Sequence, residues 1–512
     1  MSLSIQKAIG LLTIILLTNA GAFAQLFQWN GSQSDDWATD ENWSPNGIPG
    51  AGDSVWINSD AVPNVCLLDD DKTIAVLQIS AGTLDLGDYQ ITATVSAAIT
   101  DGILQNGTLA SPTLASLSNA TFNGSVNLIK TGANNNDWYG GNTFNGPTTI
   151  TNNGSARLRM ANTEGDVFLD QVQFINNAAS TLDIAYRDTT VFFALVTVDN
   201  TSTGGVTFGN SNTATAQTIL EPGAALLTNG FNNGRLIIRR MTQSSTDPNG
   251  SFNPTTATFT SCSFLGNFSL ATSGGNLTFS SSLFAAANNF SAEGNISMSG
   301  ANQFSSTTGT TSITRSGGTN NSTWAGSTIF GDLVLTNNST FFIRMAGTSG
   351  DAFARTAQFV NTNSGGIQVS YRGANTFGGD ITLTNSGSGG ITFGAGGGTS
   401  AQSAGGLLTD GYSAGPLTLS NFSQTSSNAS ERITPTTFTA TSCSFNGDFA
   451  ITTSSGAIAL TTCTFLASCS MISATHITAT GANQFSTGSG SSEFVMNDGT
   501  NTAWTGGNTF GN

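Results

Sequence analysis

Short apolar–polar alternations recur along most of this chain, and they recur in step. Between Ser261 and Phe304 the apolar side chains fall two positions apart within brief segments: Cys262 and Phe264, Phe268 and Leu270, Leu277 and Phe279. A period of two places them on one face of a strand. Gly266 and the Ser273-Gly274-Gly275 run break the segments with turn residues. Phe264, Phe284 and Phe304 stand 20 residues apart, and Phe445, Phe465 and Phe485 repeat that interval. Strands this short cannot bury their apolar face alone, but stacking each segment on the next would do so, which is the logic of a solenoid. Beyond the N-terminus no window keeps a 3.6-residue period, and Gly, Asn, Ser and Thr are poor helix formers.

A longer period contains the short one. The run 253–268 (NPTTATFTSCSFLGNF) answers 434–449 (TPTTFTATSCSFNGDF), and GANQFS occurs at 300–305 and 481–486. Upstream, Arg159-Met160 matches Arg344-Met345, Tyr186-Arg187 matches Tyr371-Arg372, and GGVTFG at 204–209 matches GGITFG at 389–394, each 185 residues on. Trp138, Trp324 and Trp504 open three copies of one phrase. The expected layout is a signal peptide over 1–24, a Trp-rich N-terminal cap over 25–72 and first β-helix rungs over 73–127. Long units follow over 128–313 and 314–493, and a third opens at 494–512 and breaks off as in a truncated sequence.

The N-terminus predicts export. Lys7 precedes an apolar run from Ala8 to Leu17, and Ala22-Phe23-Ala24 places cleavage after Ala24. The run is too short to span a bilayer, and no later stretch is a transmembrane candidate. Of the five cysteines, Cys443 and Cys463 occupy the same rung position; a ladder of buried thiols beside the Phe stack is the expected state, with a disulfide across adjacent rungs as the alternative, and Cys66, Cys262 and Cys469 have no obvious partners.

Charge narrows the function. Charged residues make up 9% of the chain and the net charge is −16, which argues against nucleic acid, since phosphate binding needs clustered Lys and Arg. His476 is the single histidine, so a Ser-His-Asp triad or a multi-His metal site lacks material; a turn residue facing solvent is the simpler account of it. Trp29, Trp37, Trp43 and Trp56 crowd residues 25–64, either as the cover of the first rung or as a platform on which pyranose rings stack. Arg159, Asp166 and Arg187, repeated as Arg344, Asp351 and Arg372, would form an Arg-Asp-Arg patch if neighbouring rungs met there. A brace or a repeated ligand site suits a feature that recurs; an active site is usually singular. Acidic pairs at Asp35-Asp36 and Asp40-Glu41 and the Asp69-Asp70-Asp71 run could hold a structural Ca2+ or be solvated turns; no EF-hand or GGxGxD pattern is present. No other cofactor is expected.

The opening motif W-N-G…W…N-W-S-P-x-G-x-P-x-x-x-D-x-V-x-I, from Trp29 to Ile57, and the following IAVLQISAGTLDLGDYQITATVSAAITDGILQNG resemble the N-terminal part of large bacterial surface proteins exported by the type IX route. The later rungs are similar to β-helical adhesin and autotransporter-passenger repeats. The resemblance implies a parallel β-helix, surface display, adhesion and a C-terminal sorting domain. The expectation is therefore an all-β, single-stranded right-handed parallel β-helix, roughly 20 rungs at about 4.8 Å each. Its expected role is non-catalytic, as an extracellular stalk or adhesin attached to the outer cell surface and presenting a repetitive face to glycans or neighbouring cells. A polysaccharide lyase or glycoside hydrolase, and a pure spacer for a further domain, are the alternatives.

Overall fold

The computed structural model describes residues 24–512 except 211–212, 306–308, 489, 499–502 and 512; the body of the expected signal peptide lies outside the described residues. Two compact units are present, Met1–Val191 and Phe192–Asn512. Both are parallel β-solenoids, with about 20 turns between them.

In the first unit a parallel ladder starts at Leu26–Trp29 and continues through Ser54–Asn58, Lys72–Ala81 and Gln90–Thr100 to Val172–Asn176. The stretch expected as a cap thus already supplies strands to the ladder. Its cover is the short Trp43–Ser44 strand, antiparallel to Leu26–Trp29, with Trp29, Trp37 and Trp43 packed edge to face at centroid distances of 4.9 and 4.6 Å. A second ladder runs from Cys66–Leu67 to Val167–Phe168, and a third joins Asn136–Asp137, Leu158–Arg159 and Thr181–Ile184.

The second unit shows why the sequence period is near 20. Each turn gives one strand to each of three parallel ladders, as in Thr256–Thr260, Ser263–Phe264 and Phe268–Thr272, followed one turn on by Leu277–Ser280, Leu283–Phe284 and Asn288–Ala292. The corner before each Phe-bearing strand needs a left-handed residue, and Ser261, Ser281 and Gly300 take φ of 54°, 49° and 68° there. The phenylalanines stack in a column as expected. Phe264, Phe284, Phe304 and Phe330 are separated by 5.3, 5.5 and 5.5 Å, each ring within 18° of parallel to the next. From Phe304 onward the interval lengthens, because loops are inserted at the corners while the strand register is kept: Phe304 pairs with Phe330, then Phe353, then Phe377.

The column is not apolar throughout. Phe377 is followed in register by Gln402 and Gln424 before Phe445 resumes it. Both glutamines are buried, and Gln402 Nε2 donates to the carbonyls of Gly379 and Gly406 at 3.1 and 3.0 Å, pinning a loop that carries few apolar groups. Asparagines form a second interior column, with Asn361 Nδ2 donating to Asn385 Oδ1 at 2.8 Å in this unit and Asn152 Nδ2 to Asn176 Oδ1 at 3.2 Å in the first. At the foot of each stands a buried cation: Lys130 lies in register with Asn152, and Arg315 with Asn337. No carboxylate pairs with either among the described residues. Lys130 Nζ donates to Gly132 O at 2.5 Å, whereas Arg315 reaches the carbonyls of Asn320, Phe341 and Phe342 and Asn295 Oδ1 at 2.5 to 3.1 Å. Burial pushes the Lys130 ammonium down from its ordinary range and Arg315 down to about 10.

Candidate functional site

Alternation decides which repeated residues can meet a ligand. In the first unit Leu158 and Leu182 point inward, in register with each other, so Arg157 and Arg159 project outward. Arg159 Nη1 donates to Asp137 Oδ1 at 3.0 Å, and Arg157 Nη2 to Asp183 Oδ2 at 2.6 Å. Burial pushes the Asp183 carboxyl upward, with Arg157 and Arg159 pulling against it. Past Ile184 the chain turns at Ala185, φ 51°, and presents Tyr186 and Arg187. The guanidinium carbons of Arg159 and Arg187 then lie 5.0 and 5.4 Å from the Tyr186 ring centroid. The second unit repeats the device. Ser370 takes φ 53°, and Arg344 and Arg372 lie 5.0 and 5.1 Å from the Tyr371 centroid.

The expected Arg-Asp-Arg patch is therefore an Arg-Tyr-Arg cluster. Asp166 and Asp351 are interior residues, buried at the corner beside the Phe column. Asp166 Oδ1 accepts from Asn142 N and Nδ2 at 3.1 and 2.8 Å; Asp351 accepts from the backbone N–H groups of Thr328 and Ala346 at 3.0 and 3.1 Å. Their position, two before a Phe, is the one Asn142, Asn302 and Asn375 fill in other turns. Burial raises the carboxyl of Asp166 to about 7 and that of Asp351 to about 6. The sequence marked Tyr186-Arg187 as a repeated pair, but the aromatic ring as the element joining the arginines was missed; its signal was the conserved spacing of Arg-Met to Tyr-Arg in both units.

The tryptophan platform fares differently from the cover. Trp29, Trp37 and Trp43 are buried against one another, and Trp43 Nε1 donates to Trp37 O at 2.8 Å, so none has a face open to a sugar. Trp56 is half-buried, its Nε1 donating to Ser80 Oγ at 2.8 Å. In the Asp69-Asp70-Asp71 run the Lys72 ammonium contacts both Asp69 and Asp70, and Asp71 Oδ1 accepts from Gln90 N at 2.8 Å. Asp36 Oδ1 is engaged by Ala38 N at 2.9 Å. Among the described residues no three His, Cys, Asp or Glu side chains gather as metal ligands. His476 sits half-buried at a turn, its carbonyl accepting from Ser473 Oγ at 2.9 Å. All five cysteines are buried free thiols; Cys443 Sγ donates to the carbonyls of Leu419 and Thr441 at 3.3 and 3.4 Å and Cys463 Sγ to that of Thr461 at 3.5 Å, so the two stand as thiols and not as a disulfide.

These features define a parallel β-solenoid with a repeated basic–aromatic cluster on its exterior. Comparison of the chain with protein-family models, with curated proteins and with solved structures finds no match in any of the three.

Proposed function

We propose that this chain is a non-catalytic extracellular surface protein, a stalk or adhesin that offers a repetitive β-helical face to glycans or neighbouring cells. The observation that carries the reading is where the reactive side chains lie. Asp166, Asp351, Lys130, Arg315 and all five cysteines are interior and spent on hydrogen bonds or packing, while the exterior cluster recurs once per long unit. Export, inferred from the residues preceding Gln25, places such a face outside the cell. The test uses residues 25–512 as purified protein, offered to immobilised glycans and to whole cells, with soluble products assayed in parallel. Retention without release of sugar fragments is expected; cleavage of any retained polysaccharide would overturn the proposal in favour of a lyase or hydrolase.

A further inference from the structure

We infer that the Arg344–Tyr371–Arg372 cluster, and not its counterpart in the first unit, binds a carboxylate-bearing saccharide. The inference rests on the surface-binding role proposed above and assigns that role a ligand. Two clusters built on the same register differ in charge. In the first unit Arg159 is opposed in register by Asp137 and Asp183, and both carboxylates pair with arginines. In the second, the register partners of Arg344 are Thr323 and Gln368, both neutral. Asp188, next along the chain from Arg187, is matched by Gly373 next to Arg372. Arg344 Nε donates to Gln368 Oε1 at 2.8 Å, and among the described residues no carboxylate pairs with Arg344 or Arg372.

Two uncompensated guanidinium groups are thus held about one aromatic ring, on a chain of net charge −16. Arg372 and Gln368-anchored Arg344 are pre-positioned by the ring, which lowers the ordering cost of gripping an anion. Planar guanidinium forks match carboxylate geometry. The overall negative field repels a polyanion, so the fitting ligand carries an isolated carboxylate on a neutral body, as a single acidic sugar does. Beside Arg372 the chain is bare: the exposed Gly396 carries no side chain to cover it, and a Cβ there would stand 3.0 Å from Arg372 Cγ.

The experiment titrates residues 25–512 with methyl β-D-glucuronide, methyl β-D-glucoside and acetate, observed by saturation-transfer NMR. Glucuronide is expected to bind, glucoside and acetate to bind at least about ten-fold more weakly, and added salt to weaken the glucuronide signal. R344Q/R372Q should lose it. T323D, which installs at this cluster the carboxylate that Asp137 supplies in the first unit, should lose it too while keeping the circular dichroism and melting temperature of the parent. Full binding by both variants, equal binding of glucoside, or equal binding of acetate overturns the site. Cell adhesion by the parent separates the two proposals: a parent that adheres to cells but binds no glucuronide removes this site and leaves the surface role standing, and a parent that binds glucuronide but no cell does the reverse.

Discussion

Phe284→Ala is the sharpest test of the stacked column. Phe284 is fully buried, with Phe264 stacked on one side at 5.3 Å and Phe304 on the other at 5.5 Å. Phe259, Phe279 and Phe290 meet it edge to face at 5.3, 5.5 and 5.0 Å. A buried phenyl removes roughly 150–200 Å² from water, or about 4–5 kcal/mol at 25 cal/mol per Å². Alanine retains part of that and leaves a cavity the stacked neighbours cannot fill, so the expected loss is about 4 kcal/mol. In a solenoid each turn touches only its neighbours, so the damage should be local. Hydrogen exchange should accelerate over roughly the turns from Ser263–Phe264 to Gln303–Phe304, and far less near Phe445. Chemical denaturation of the second unit supplies the magnitude. Ile329→Thr is the control: it precedes the column residue Phe330, points outward and is 41% exposed, so a change within about 0.5 kcal/mol is expected. A Phe284→Ala loss no larger than the control's, or exchange quickened evenly along the unit, would refute the column.

Three further outcomes follow from the interior polar groups. Asp351, raised by burial from 3.8 to about 6, favours folding in its protonated form, so its contribution is complete below pH 4 and lost as pH climbs to about 6 and beyond. Asp351→Asn, a side chain other turns accept at that corner, should flatten the pH 4–7 slope of denaturation midpoints and stabilise the chain at pH 8 by on the order of 2 kcal/mol. Arg315→Ala should cost about 1–3 kcal/mol, because Asn320 O and Asn295 Oδ1 lose their donor and a buried side chain is truncated while Phe341 O and Phe342 O keep Asn337 Nδ2 and Ser322 N, whereas Lys130→Met, which frees only Gly132 O, should be neutral or stabilising in thermal melts. Burial pushes the Cys66 thiol up and Cys262 up to about 11, so native protein at pH 8 should take up no maleimide by mass spectrometry and the denatured chain five.

The parts of the fold visible in the sequence are those where one residue type repeats in register. The Phe column was legible because a side chain stacked on its own kind at 20-residue intervals leaves a periodic mark. The Asn column leaves the same mark more faintly, spread over 24-residue turns among many other asparagines. Lys130 and Arg315 each end a strand at inward parity: Val126, Leu128 and Lys130 alternate, as do Thr311, Ile313 and Arg315. The alternation rule assigns such a cation to the interior; the habit of placing charges outside argued the other way. Asp166 shows the converse error. Asp166 recurs together with Arg159 and Arg187, but recurrence records a shared turn, not a shared face, and parity places the carboxyl inside.

That distinction governs how the exterior should be interpreted. Interior positions are duplicated between the units nearly residue for residue, as Asp166 is by Asp351 and Asn152-Asn176 by Asn337-Asn361, because a substitution there must satisfy the same neighbours. Around the arginine clusters the outward positions are not duplicated: Thr323 answers Asp137, Gln368 answers Asp183 and Phe342 answers Arg157. Packing tolerates such changes on a surface, and an ion pair as open as Arg159–Asp137 adds little stability, about 0–1 kcal/mol, whereas Arg157–Asp183 holds a buried carboxylate that Gln368 replaces at no desolvation cost. Stability therefore gives little reason for the open carboxylate of Asp137 to be answered by neutral Thr323 beside Arg344. The ring and its two arginines recur in both units while the opposing carboxylates do not, which is the arrangement the proposed acidic ligand would complete.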